Sequence, residues 1–416
     1  MEAVDRVRLI ALSSPLHSDE QVAALKGEII GALNGSGKVV VEEFNGADGD
    51  FALQGLLILT GGVEREALEA AASLNEPIIL LAHPWHNSLP AALEVLARLR
   101  QEGRRGLVLY GGGQELCAQL VLQARGAAAW REFAHSRIGL IGRPSDWLVA
   151  SGVRADRLAR IGIEVVQLGI GELVERVRAL RDRPFAEEGH ELKRRAARQS
   201  ELDEAALAGA IRIYHALREL VQLHQLSALT VRCFDLLKTL QNSGCYALSR
   251  LNDEGITAGC EGDLQALLSM HLGRLLTGEP AFMGNIARLD PQEGSILLAH
   301  CTCPLSLSTS YKLRSHFESG LGVGIAATLP PGPATLFRLG GEGFDRLFVA
   351  EGTIRERELE EGLCRTQVLL ELDASRNSLL ENPLGNHHVL LLGHHQREIE
   401  TLFRTNIEER SQQIGG

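Results

Sequence analysis

The feature that most constrains this chain is the alternation of short apolar runs with amphipathic segments over its first third. VRLIAL, KVVVEEF, GLLILTGG, PIILLAHP and GLVLYGG are short, mostly apolar runs of strand length. Helical patterns such as EREALEAAASL and LPAALEVLARLRQEG lie between them. Strands apolar on both sides belong in a sheet covered on both faces, so the pattern predicts parallel strands flanked by helices. SRIGLIG, from Ser136, starts a second such series, continued by GIEVVQLGIGELVERVRAL. From about Gly284 the character changes to short strand-like runs broken by Gly and Pro: SILLAHCTCPL, GVGIAATL, ATLFRLGG, RLFVAEGTI and HHVLLLG. The expected fold class is therefore α/β. Two doubly wound, Rossmann- or flavodoxin-like domains (1–135 and 136–283) precede a β-rich, barrel-like domain (284–416) that completes the site.

Composition excludes several function classes. Among 416 residues, 42 basic against 53 acidic side chains leave a net charge of −11, which disfavours nucleic acid or an anionic membrane as partner. No apolar segment approaches the roughly 20 residues that cross a bilayer. The N-terminal MEAVDRVRLIALSSP does not have the pattern of a signal peptide. Seven cysteines without paired spacing point to reduced thiols, and hence to a cytoplasmic protein. LTGGVEREA, YGGGQELCAQ and LGIGELVER each join a strand to a helix, but none carries the spaced dinucleotide-binding fingerprint, so their glycines read as tight turns. The charge run RDRPFAEEGHELKRRAARQSELDE reads as a solvated face or connection.

Three stretches can carry chemistry. In CEGD, Glu261 and Asp263 stand before a run with Leu264, Leu267, Leu268, Leu272, Leu275 and Leu276 at helical spacing. Carboxylates there face free N–H groups and the positive end of the helix dipole, which suffices as a cap. An ionised carboxylate so held is also a hard-metal ligand or a base. His300 ends the run ILLAH; in a strand it and Cys301 point to opposite sides, so a zinc site built from His300 and both nearby cysteines does not follow. His387 and His388 begin another strand, and adjacent strand residues also face opposite ways. His394 and His395 read as surface residues at a helix start.

The order of these landmarks resembles the L-fucose isomerase and L-arabinose isomerase superfamily, over most of the chain and best from Ile211 onward. In that family a Glu in a short acidic motif opens a helix, a second acid follows the helix, and a histidine near the C-terminus completes a metal site. The resemblance implies a metal set of Glu261, Asn285, His300 and His388, with Glu261 as catalytic acid and His387 beside His388 as a substrate contact. Asp263, as a further catalytic acid, and Glu318, at the substrate, are groups of this chain that could take the role of a missing second acid. The resemblance implies a divalent ion, Mn²⁺ first and Mg²⁺, Co²⁺ or Zn²⁺ after it, and a small sugar as substrate. It also implies a homo-oligomer, trimer or hexamer, with His86 of HPWHNSLP reaching the site of an adjacent subunit. The activity implied is aldose–ketose isomerisation through an enediol. One departure stands out: AFMGN puts Gly284 or Asn285 where the family has its second acid. Asn can ligate a metal but cannot act as a base near neutral pH. The alternative is thus a sugar-binding relative that does not isomerise, or a lyase or epimerase on the same fold.

Overall fold

The structure, a computed structural model, describes residues 5–35, 37–43, 51–197, 202, 204–290, 294–372 and 376–408. Phe44, at the end of one expected strand, and residues 198–201 and 203 of the charge run lie outside them. The chain divides into two compact units, 1–131 with 401–416, and 132–400.

The first unit holds a parallel sheet of β1 (Asp5–Leu12), β2 (Val39–Glu43), β3 (Leu53–Ile58), β4 (Ile78–Ala82) and β5 (Gly106–Tyr110), in the order β2-β1-β3-β4-β5. Leu57, Ile79 and Leu81 pack to one side with Ile29, Leu33 and Leu120 of helices Asp19–Asn34 and Gly113–Ala134. Leu56, Ile58, Ile78 and Leu80 pack to the other with Ala67, Val95 and Leu99 of helices Glu64–Ala71 and Ser88–Gln101. Both faces are covered, which is why the inner strand β4 (IILLA) is apolar and buried at every position.

The second unit begins with β6 (Arg137–Ile141), β7 (Glu164–Leu168), β8 (Ala228–Val231) and β9 (Thr257–Cys260), a parallel sheet ordered β7-β6-β8-β9. It continues with β10 (Phe282–Asp290), β11 (Ser295–His300), the hairpin β12 (Ser310–Arg314) and β13 (Gly324–Thr328), then β14 (Gly332–Gly340), β15 (Arg346–Arg355), β16 (Thr366–Leu372) and β17 (His387–Leu392). Six of these close an antiparallel barrel in the order β10-β11-β16-β15-β14-β17. The second sheet and the barrel share one core, in which Leu229 and Val231 join Phe282, Phe337 and Leu390. Among the described residues no helix is long and apolar enough to cross a membrane.

The helix Leu264–Thr277 lies between that sheet and the barrel, so residues 264–273 are buried all round its circumference. Its leucines alone suggest one apolar face; the structure gives it two. Its polar residues must then find partners inside. Gln265 donates to the carbonyls of Ala150 and Gly152, Ser269 accepts from Leu339 N–H, and His271 bonds both Ser136 and Thr257. Burial holds His271 neutral, pushing it from 6.5 down to about 4, with Arg274 adding to the shift. The folded state thus refuses a proton that the unfolded chain accepts. The associated stability is complete above pH 6.5 and drains as pH falls toward 4, by about 3 kcal/mol in all. Denaturant unfolding of the wild type and His271→Gln between pH 7.5 and 5 is expected to show their stability gap narrowing as the pH drops. A constant gap would contradict this account.

Candidate metal and active centre

The centre starts at the C-terminal end of β9. Glu261 and Gly262 both take left-handed backbone, φ +64° and +74°, before Asp263 caps the helix by accepting from Ala266 N–H at 2.9 Å. A Cβ on Gly262 would lie 2.7 Å from the Arg143 carbonyl oxygen, so only glycine serves there. Left-handed backbone on a glutamate is uncommon and costs about 1–3 kcal/mol, a strain the surroundings must hold in place. Two bonds do so. Ser145 N–H donates to the Glu261 carbonyl at 2.8 Å, and Trp147 Nε1 donates to Glu261 Oε2 at 2.6 Å.

The barrel supplies the imidazoles. His300, last residue of β11, brings Nε2 to 3.8 Å from Glu261 Oε1. His387, first residue of β17, brings Nε2 to 3.5 Å from the same oxygen, and its Nδ1 lies 2.9 Å from Asp263 Oδ2. Donor atoms of Glu261, His300 and His387 all fall within 4.8 Å of one another, the one such group among the described residues. His387, rather than its neighbour, faces them because of strand periodicity. Residues 387, 389 and 391 share a face, and Leu391 lies against Gly273 of the helix that Asp263 caps. His388 turns the other way, its ring 5.4 Å from that of Phe348.

Asn285 pairs with His387 across the β10–β17 ladder, on the same face, and its Oδ1 accepts from Asn386 at 3.0 Å. Gly284 pairs with His388, and a Cβ there would meet the Phe282 ring at 3.1 Å, so an acid at that position would require the ring to shift. Glu318 is exposed on the loop between β12 and β13. His86 lies in the first unit, exposed, on left-handed backbone with its ring against His17. His394 is exposed beside Glu351.

Two functional neighbours escape sequence reasoning. Arg338 of β14 is fully buried and reaches Asp263 Oδ2, Gln265 Oε1 and Ser151 Oγ. Its signal was available: an arginine inside the apolar run ATLFRLGG has to be paired. Trp147 carries no comparable signal.

Charge is concentrated here. Burial opposes ionisation of Glu261, but His387, His300 and the Trp147 N–H outweigh it and hold the carboxyl at about 2. Asp263 also sits at about 2: burial raises it, while the bond to His387 and the Arg338 guanidinium lower it further. Burial lowers His387, but Asp263 and Glu261 together lift it to about 9. Burial and the neighbouring His387 charge keep His300 neutral, near 3.

These residues fit a divalent cation. The Nε2 of His387 is buried and has no hydrogen-bond partner, although two carboxylates surround the ring. Separations of 3.5 and 3.8 Å between donor atoms are close to the roughly 3.4 Å expected of tetrahedral ligands at 2.1 Å. Asp263 on Nδ1 is the outer carboxylate that typically orients a metal-binding histidine. One carboxylate with two imidazoles suits Mn²⁺, Co²⁺ or Zn²⁺.

Fold and site thus define an α/β protein in which a carboxylate following β9 meets two barrel imidazoles at the mouth of a buried helix. Residues 147–277 match the family model of the L-arabinose isomerase central domain. The chain is 26% identical over 334 residues to a sulfoquinovose isomerase of Clostridium sp. (strain MSTE9), covering 74% of this chain and 72% of that one. It is 25% identical over 326 residues to the sulfoquinovose isomerase of Alkalicoccus urumqiensis, covering 76% and 71%. A sulfoquinovose isomerase of Priestia aryabhattai is 29% identical over 168 residues, 38% of this chain and 37% of that one. The chain is thus similar to the arabinose and fucose isomerase-like superfamily, by the family model over residues 147–277 and by 25–29% identity to sulfoquinovose isomerases.

Proposed function

We propose that this protein is a metal-dependent aldose–ketose isomerase acting through an enediol, with sulfoquinovose as the first substrate to test. The observation that carries the reading is the convergence of Glu261, His300 and His387 around the unpartnered Nε2 of His387. When bound, a divalent ion would polarise the sugar's carbonyl and stabilise the enediolate.

The chain's own residues divide the remaining work. Trp147 ties down Oε2 of Glu261 and leaves Oε1 facing the site as an ionised acceptor for the proton on the carbon beside the carbonyl. Asp263 is the poorer base. Its Oδ1 is committed to Ala266 N–H and its Oδ2 to His387 and Arg338, so we assign it to positioning His387. Asp263→Asn should therefore weaken metal binding by about 10–100-fold. His387→Gln should weaken it more than His388→Gln, as read by metal content after dialysis. Equal loss in the two histidine variants would argue against the assignment.

The test of the function is turnover of sulfoquinovose by Mn²⁺-loaded protein in D₂O, following deuterium uptake at C2 and appearance of the ketose. Failure with sulfoquinovose and with pentoses, hexoses, deoxysugars and other acidic sugars alike would end the proposal. A second reading, sugar binding without isomerisation, is favoured by Asn285, whose amide stands in the second-acid segment and is engaged by Asn386. It calls for saturable sugar binding with no C2 exchange.

A further inference from the structure

The charge run is largely exposed over its described residues, as its sequence suggests, and a cavity opens beside it. About 240 Å³ opens between the Ala186–Arg195 helix and the start of the Glu204–His224 helix, within the second unit. Phe185 and Leu207 line it with apolar surface, and Arg183, Lys193 and Arg212 bring three cations to the same walls.

The chain carries 53 acidic against 42 basic residues, and neighbouring arginines find acids readily. Arg194 and Arg195 both pair with Glu191, and Arg176 pairs with Glu172 at 3.1 Å. Arg183, Lys193 and Arg212, by contrast, form no ion pair among the described residues, and Arg212 Nε is buried with no hydrogen-bond partner. A buried N–H left unsatisfied costs about 1–3 kcal/mol, more when it belongs to a charged group. Among the described acids close by, Glu188 is held by His215 at 2.8 Å and Glu191 by its two arginines, Glu187 stands in the first turn of the helix, and Glu204 is the one acid on the cavity wall. The Ala186–Arg195 helix also begins at this wall, with Phe185 at its cap and no side-chain cap bond. Its first N–H groups and the positive end of its dipole favour an anion at that end.

We propose that this cavity is a second ligand site, separate from the metal centre, for a small organic anion. Its acid group, a phosphate ester or a carboxylate, is held by Arg183, Lys193 and Arg212. Its apolar body lies against Phe185 and Leu207. The proposal does not depend on the isomerase reading, because its test reads binding.

Calorimetric titration of the full chain with phenyl phosphate and with benzoate is the experiment, with phenol and inorganic phosphate as controls. The expected result is one saturable site for at least one of the two aromatic anions, with Kd of about 1 mM or tighter. Phenol should not bind, and inorganic phosphate should bind more weakly. Whichever aromatic anion binds tighter identifies the acid group. Arg212→Gln should weaken binding at least 10-fold, and the exposed Arg183→Gln, which carries no folding risk, should weaken it several-fold. Mn²⁺ loading at the Glu261 centre should be unchanged in both. No binding of either anion by the wild type overturns the proposal, as does binding that phenol matches or that both arginine variants leave intact.

Discussion

Glu261→Gln is expected to lower isomerase turnover by at least about 10³-fold and to strip most of the bound metal. Gln keeps the shape and can still accept the Trp147 N–H, so the loss isolates the charge. Removing a positioned general base alone costs about 10²–10⁴-fold, and loss of a metal ligand compounds it. The structure supplies the reason that no neighbour rescues the variant. Asp263 has both oxygens committed, and position 285 is an amide already bonded to Asn386. Steady-state kinetics at saturating Mn²⁺, with metal content measured on the same sample, checks both effects. Turnover within 10-fold of wild type, with metal retained, would remove Glu261 from the mechanism.

Arg338→Met should be the most destabilising single change in the second unit. The guanidinium is fully buried and uses every face. Nε donates to Leu384 O at 3.1 Å, Nη1 to His387 O at 2.5 Å and Asp263 Oδ2 at 3.4 Å, and Nη2 to Ser151 Oγ and Gln265 Oε1. Truncation leaves the fully buried Asp263 without its permanent counter-charge, a loss of about 3–5 kcal/mol. Arg338→Lys is not expected to rescue it, since an ammonium cannot reproduce the fork. Gly385 lies against the same group: a Cβ there would come within 2.6 Å of it. The Arg338→Met, Asp263→Asn double variant should recover part of the loss by removing the orphaned charge. Urea unfolding across this cycle measures the coupling. A single-variant loss under about 1 kcal/mol would show that water or rearrangement satisfies Asp263 instead.

The two expectations explain each other. Arg338 pairs with Asp263, Asp263 bonds His387, and His387 belongs with Glu261 and His300 to the proposed centre. A variant at Arg338 that still folds should therefore load metal poorly, although the arginine belongs to no ligand set.

What the amino-acid sequence determined by itself was local. The apolar runs specified strands buried on both faces, because strand periodicity is complete within a few residues. CEGD specified a turn into a capped helix for the same reason: the Asp263 cap bond spans three residues. The order of CEGD, His300 and the paired histidines carried the superfamily resemblance, and the absence of an acid at Gly284–Asn285 was readable directly. The tertiary structure decided whatever depends on register between distant segments. His387 meets Asp263 across 124 residues, and which of two adjacent histidines faces inward turns on a one-residue phase of β17 against β10 and the buried helix. Shifting that phase by one residue exchanges the faces, and nothing within GNHHV sets it. The same holds for Arg338 and for Trp147, whose partners lie 75 and 114 residues away. Such contacts exist only once the barrel has closed against the second sheet.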